Sequence, residues 1–128
     1  MKQRCPCHSG QPYETCCQPL HLGQPSPTAE RLMRSRYSAY ALKMADYLQK
    51  SWYVSSRPHD LKQADLQGIR WLGLEILETH SIDSQHTNVV FKAKFRTSGQ
   101  KTQVLHEKSY FILDNGHWYY VNGDMLSN

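Results

Sequence analysis

Every cysteine of this 128-residue chain falls within its first seventeen residues, as Cys5-Pro6-Cys7 and then, after eight residues, Cys16-Cys17. A segment this short cannot bury an apolar core, so its order must come from a cross-link or a metal. Zinc takes four thiolates in a tetrahedron, and two cysteine pairs on two turns can converge on one ion. The loop between them, Ser9-Gly10-Gln11-Pro12-Tyr13, carries the glycine and proline of a tight reversal. Disulfides and free thiols are the alternatives. A Cys16–Cys17 disulfide would be a strained ring, and four crowded thiols in a polar segment oxidise readily. The reading favours zinc on Cys5, Cys7, Cys16 and Cys17, with His8 and His21 as bystanders.

The compartment agrees with this. The N-terminal basic residues are not followed by an apolar stretch, so a secretory leader is not expected. No window reaches the ~18 apolar residues of a membrane span. A cytoplasmic location is therefore expected, where thiols stay reduced and clustered cysteines favour metal. The net charge is +4, and residues 28–60 hold six basic against three acidic side chains. That modest excess reads as a solvated helical face, and nucleic acid is not an expected partner.

Three zones follow one another: the cysteine knuckle at 1–17, a Pro-rich linker at 18–27 and a globular domain at 28–128. The linker's three prolines and one glycine argue against a continuous helix or strand. In the domain, Thr28 is a good N-cap, and Ala29, Leu32, Met33, Tyr37, Tyr40, Ala41 and Met44 recur at helical spacing. A second short helix, capped by Asp46, is expected to about Tyr53, and a third, weak one from Leu61 to Leu66. From Ile69 the period shortens. Strands are expected at Ile69–Leu77, Val89–Arg96, Val104–Leu113 and His117–Val121, with Asp114-Asn115-Gly116 as a hairpin turn. Helices followed by a meander indicate α+β, with helices on one face of an antiparallel sheet.

Catalytic signatures such as a phosphate loop, a nucleophile elbow or His-Glu-x-x-His are missing. By alternation Glu107 shares a face with Leu105, Ser109, Phe111 and Leu113, so it points inward. Two roles follow: a buried ion pair with Arg34 or Arg36, or a pocket acid able to move protons, the pair being preferred. Tyr37, Tyr40, Trp52, Trp71, Trp118 and Tyr120 are core aromatics or the wall of a pocket, with Asp124 near its mouth.

Two resemblances sharpen these expectations. Residues 5–17 resemble the SEC-C motif, Cys-Pro-Cys-Gly-Ser-Gly-Lys-x-Tyr-x-x-Cys-Cys, departing from it at His8, which is usually glycine. The resemblance implies zinc and, as at the end of the bacterial preprotein-translocase motor, docking of a protein partner. Leu32-Met33-Arg34-Ser35-Arg36-Tyr37-Ser38-Ala39-Tyr40, Trp71-Leu72-Gly73-Leu74 and Trp118-Tyr119-Tyr120-Val121-Asn122-Gly123 resemble the YchJ-like (UPF0225) proteins. This implies an NTF2-like (cystatin-like) cone, a curved antiparallel sheet wrapped around helices. The expected function is that of a non-enzymatic zinc protein, with its knuckle docking a partner and its cone a scaffold or small-ligand module. The alternatives are an isomerase- or dehydratase-like enzyme using Glu107, and a thiol–zinc redox switch.

Overall fold

The computed structural model describes residues 3–127. Three α-helices and four strands carry the architecture among the described residues, with a single-turn 3₁₀ helix at Gln63–Leu66 in place of the weak third α-helix. A 3₁₀ turn at Tyr13–Thr15 leads into α1 (Gln18–His21), followed by α2 (Ala29–Ala41) and α3 (Ala45–Lys50). Thr28 caps α2, its Oγ1 accepting from the Arg31 amide at 3.1 Å. Asp46 lies in the first turn of α3 and makes no side-chain cap.

The sheet is a plain meander, β1 (Ile69–Ser81), β2 (His86–Thr97), β3 (Gln103–Asp114) and β4 (His117–Met125), antiparallel throughout. Asn115 (φ 55°) and Gly116 (φ 80°) turn β3 into β4 with two left-handed residues, the backbone a tight hairpin requires. Register shifts at Trp71/Gly73 and Ile76/Glu78 in β1, and at Tyr110/Phe111, bend the sheet. Its concave face carries Val89, Phe91, Ala93, Ser109 and Phe111, all buried, and α2 lies against it. Filling that face stabilises the fold by about 1.5–3 kcal/mol per large side chain. The chain leaving α3 pairs with β4: the Tyr53 amide donates to Tyr120 O at 2.7 Å and the Tyr120 amide to Ser51 O at 2.9 Å.

The Pro-rich stretch at 18–27 has no continuous helix or strand, but its first turn is ordered. Gln18–His21 is helical, with Pro19 in the first turn, where a missing amide costs nothing. Leu20 is buried, and His21 Nε2 is 2.8 Å from the Ser35 carbonyl on α2. No helix among the described residues is long and apolar enough to cross a membrane.

Candidate metal centre and binding cavity

The reversal between the cysteine pairs is built from backbone contacts. The Cys5 amide donates to Gln11 O at 2.8 Å and the Tyr13 amide to Gln3 O at 2.9 Å. His8 (φ 64°) and Gly10 (φ 87°) are both left-handed. The first explains the motif's usual glycine at position 8; histidine is among the residues that tolerate this region. Arg4 Nη1 closes the turn onto Gly10 O.

The turn brings four sulfurs together. The Sγ atoms of Cys5, Cys7, Cys16 and Cys17 all lie within 4.8 Å of one another. Cys7–Cys16 is 3.6 Å and Cys16–Cys17 4.0 Å. A tetrahedron with zinc–sulfur bonds of ~2.3 Å has edges of about 3.8 Å, so the donor set fits a tetrahedral thiophilic ion. All four cysteines are 0–5 % exposed. The Ser38 hydroxyl reaches Cys17 Sγ at 3.3 Å and Cys5 Sγ at 3.5 Å, and Ser9 Oγ is 3.2 Å from Cys16 Sγ. Hydrogen bonds from Cys17 and Cys5 draw the Cys7 thiol down, those shared with Cys5 and Cys7 push Cys17 up, and burial pushes Cys16 up.

Neither nearby histidine joins the cluster. His21 Nδ1 is 2.7 Å from the Tyr13 hydroxyl and its Nε2 faces Ser35 O, so the neutral ring bridges knuckle and helix. Burial holds its pKa below the usual 6.5. His8 is exposed, its ring edge-on to Tyr37 at 5.8 Å.

One face of α2 receives the knuckle. Arg31 Nη2 donates to Cys16 O at 3.0 Å and Arg34 Nη1 to Cys7 O at 3.1 Å, while Ser35 and Ser38 meet His21 and the sulfurs. These four positions sit at spacings of three and four, one stripe of the helix. The next stripe, Met33, Arg36, Tyr37 and Tyr40, looks the other way and lines a cavity of about 190 Å³. Trp71, Phe91, Ala93, Leu105, Glu107, Ser109 and Tyr120 complete its wall.

Arg36 is 3 % exposed. Its Nη1 donates to Leu48 O at 2.8 Å and Ser51 Oγ at 2.6 Å, and its guanidinium lies 4.5 Å from the Tyr120 ring centre and 5.0 Å from that of Trp52. A buried charge without a counter-ion costs several kcal/mol. Charged hydrogen bonds of about 1.5–3 kcal/mol and cation–π contacts of about 2 kcal/mol offset part of that. Burial lowers the Arg36 pKa, with the Tyr40, Tyr120 and Tyr47 phenols opposing the shift.

Glu107 faces inward, as alternation requires, but the expected ion pair is not formed. Its Oε2 accepts from Ser109 Oγ at close range and from the Tyr120 hydroxyl at 3.4 Å. Arg34 instead pairs with Glu30 at 3.5 Å, and no ion pair among the described residues includes Arg36. Tyr120 is pushed up by burial and then by the Glu107 charge, so its hydroxyl stays protonated and donates. Burial also raises Tyr37, to about 12. Gly123 makes the carboxylate's position possible: a Cβ there would lie 2.5 Å from Glu107 Cδ.

Of the pocket residues expected from sequence, Arg36, Tyr37, Tyr40, Trp71, Ser109 and Tyr120 line this cavity. Trp52 backs Arg36 from behind. Arg34 belongs to the knuckle, Trp118 borders a separate depression with Leu32 and Tyr47, and exposed Asp124 accepts from the Tyr110 hydroxyl at 2.7 Å. Sequence reasoning passed over Met33, Phe91, Ala93 and Leu105 as wall, although all four lay on faces already identified as inward.

Comparison with known proteins agrees with this two-part construction. Residues 1–19 match the SEC-C motif, and residues 28–123 match the family model "YchJ, middle NTF2-like domain". The chain belongs to the YchJ-like, UPF0225 family. A UPF0225 protein of Bordetella pertussis is 41% identical over 124 residues, covering 94% of this chain and 92% of the relative. One from Polaromonas naphthalenivorans is 43% identical over 116 residues, covering 90% and 83%. The solution structure of a SEC-C motif-containing protein from Rhodopseudomonas palustris superposes with a TM-score of 0.85 at 36% identity, covering 99% of this chain and all of that one. A crystal structure of another from Psychrobacter arcticus gives 0.83 at 29% identity, covering 98% and 84%.

Proposed function

We propose that this UPF0225 member is a cytoplasmic zinc protein in which one structural ion fastens the knuckle to an NTF2-like cone that binds a small ligand. The observation that carries it is the set of four buried sulfurs, mutually within 4.8 Å and backed by Ser38 of α2. Thiolates are soft donors and the set leaves no position open to water, which favours zinc in a structural rather than a catalytic site. The outer side of the turn, with His8, Gln11 and Thr15 exposed, is the part of the knuckle available to a protein partner. Elemental analysis and X-ray absorption on reduced full-length protein test the metal: one zinc per chain with sulfur at ~2.3 Å is expected. Iron, or no metal after growth in zinc-containing medium, would refute it. Capture of partners by wild type and by Gln11→Ala/Thr15→Arg, which spares the ligands, tests docking; identical partner sets would remove it.

One observation favours a second reading. Glu107 borders an open cavity with only hydroxyl partners, as a general acid or base would. That reading requires turnover of a bound substrate that is lost in Glu107→Gln while binding persists.

A further inference from the structure

The two stripes of α2 end differently. On the knuckle side every charged group finds a partner: Arg31 and Arg34 reach carbonyls, and Arg34 also meets Glu30. On the cavity side Arg36 and Glu107 line one open cavity, and among the described residues neither is in an ion pair. They cannot simply be relieved by swinging together. Glu107 is held by Ser109 and Tyr120 in the room that Gly123 leaves, while Arg36 is fixed by Leu48 O, Ser51 and two aromatic faces.

We propose that the cavity is a receptor for a small organic acid whose carboxylate seats on Arg36 and whose far-end hydroxyl or amino group donates to Glu107. This rests on reading the cone as a ligand-binding domain and adds the chemical class of the ligand. Arginine stays charged even when buried, and both of its close hydrogen bonds leave from Nη1. A desolvated cation on a cavity wall attracts an anion far more strongly than one in water. The volume sets the size. A cavity of about 150 Å³ accepts benzene, so about 190 Å³ takes one ring or a chain of similar bulk. The wall sets the body: Tyr37, Trp71, Phe91 and Leu105 offer apolar surface on which an inorganic anion would gain nothing. Glu107 sets the other end, since a carboxylate accepts hydrogen bonds and repels a second acid group.

Zinc-loaded full-length protein titrated with 4-hydroxybenzoate, benzoate, 4-hydroxybenzamide and inorganic phosphate tests this by NMR, following the Arg36 Nε–Hε signal and the amides of Ala93, Leu105 and Ser109. 4-Hydroxybenzoate is expected to move these signals and to bind at least tenfold more tightly than the amide. Arg36→Met should abolish that preference, and Glu107→Gln should keep it while losing the advantage of 4-hydroxybenzoate over benzoate. Should Arg36→Met fail to fold, the acid–amide comparison on wild type and the Glu107→Gln result decide alone. Equal binding of acid and amide, or tighter binding of phosphate, overturns the organic-acid assignment but leaves a ligand-binding cone. No shift with any probe at millimolar concentration overturns both, and the zinc content, measured on the same sample, stands apart from either.

Discussion

The metal turn and the cavity share a helix and solve opposite problems. At the turn, groups with almost no apolar surface of their own are closed off: four cysteines are buried and both serines on that stripe of α2 are at 0 % exposure. In the cavity, a wall with abundant aromatic surface stays open and leaves a buried arginine without its counter-charge. A short chain closes around a metal because the ion supplies what a core would; an aromatic cone need not close, because its sheet is already stable without the last contacts. Closure at one site and incompleteness at the other are what the proposed roles require, a structural ion at the first and a ligand at the second.

The largest expected effect breaks the comparison at its structural end. The cysteines share one buried cluster with Leu32, Met33, Val89 and Phe91. Chelation, or Cys16→Ser with Cys17→Ser, should therefore loosen α2 together with the knuckle and cost more than about 5 kcal/mol, a large share of a domain's stability. An open tether at 18–27 leads to the opposite result, and an amide spectrum that changes only in residues 3–17 would show the regions to be independent. Next, Gly123→Val forces a side chain into the place of the Glu107 carboxylate and should cost about 2–3 kcal/mol, as overpacking does. An unchanged denaturation midpoint would mean that Glu107 swings away freely. Ser38→Ala removes the hydroxyl shared by Cys5 and Cys17. It should cost about 1–2 kcal/mol and weaken metal binding roughly 10–100-fold, read by competition with a chelator. Unaltered affinity would show that the sulfurs need no support from the helix.

Much of this was legible in the chain. The cysteine spacing, the Thr28 cap, the alternation of Val89 to Phe95 and the Asn115-Gly116 turn are local signals, and each lies where its period or backbone preference puts it. What was not legible depends on which surface a helix offers to which neighbour. Ser35 and Ser38 are polar in mid-helix and look like solvent positions until the knuckle covers them. From the sequence, Arg34 and Arg36 look like equivalent partners for Glu107. Two residues apart on a helix they diverge by about 200°, so one meets the knuckle and the other the cavity. That division was available from the spacing alone. The missing ion pair was not, because it depends on where Gly123 lets β4 approach Glu107.

A smaller effect sharpens the junction between the regions. Burial holds the His21 pKa below its unfolded value of 6.5. The unfolded chain then binds more protons than the folded one as pH falls below 6.5, so this group's contribution to stability is complete above that value and declines beneath it. With zinc kept saturating, stability should fall between pH 7.5 and 5.5 by less in His21→Gln than in wild type. Parallel curves would show that the ring titrates freely and does not bridge Tyr13 to Ser35.

The smallest expected change is the one that separates the two regions most sharply. Had Glu107 been paired with a buried arginine, Glu107→Gln would have left that cation unpaired and cost about 3–5 kcal/mol. In the structure the carboxylate accepts from Ser109 and Tyr120, and Arg36 is held by carbonyl, hydroxyl and aromatic faces. A glutamine oxygen can still accept both hydrogen bonds, and no cation loses its partner. The substitution should therefore leave the denaturant midpoint within about 1 kcal/mol of wild type, with an unchanged slope. Near-neutrality is what a group kept for a ligand predicts, because charges held for function contribute little to the fold that carries them. A loss of several kcal/mol would show that Glu107 supports the core, and the cavity would then join the metal turn as a structural site.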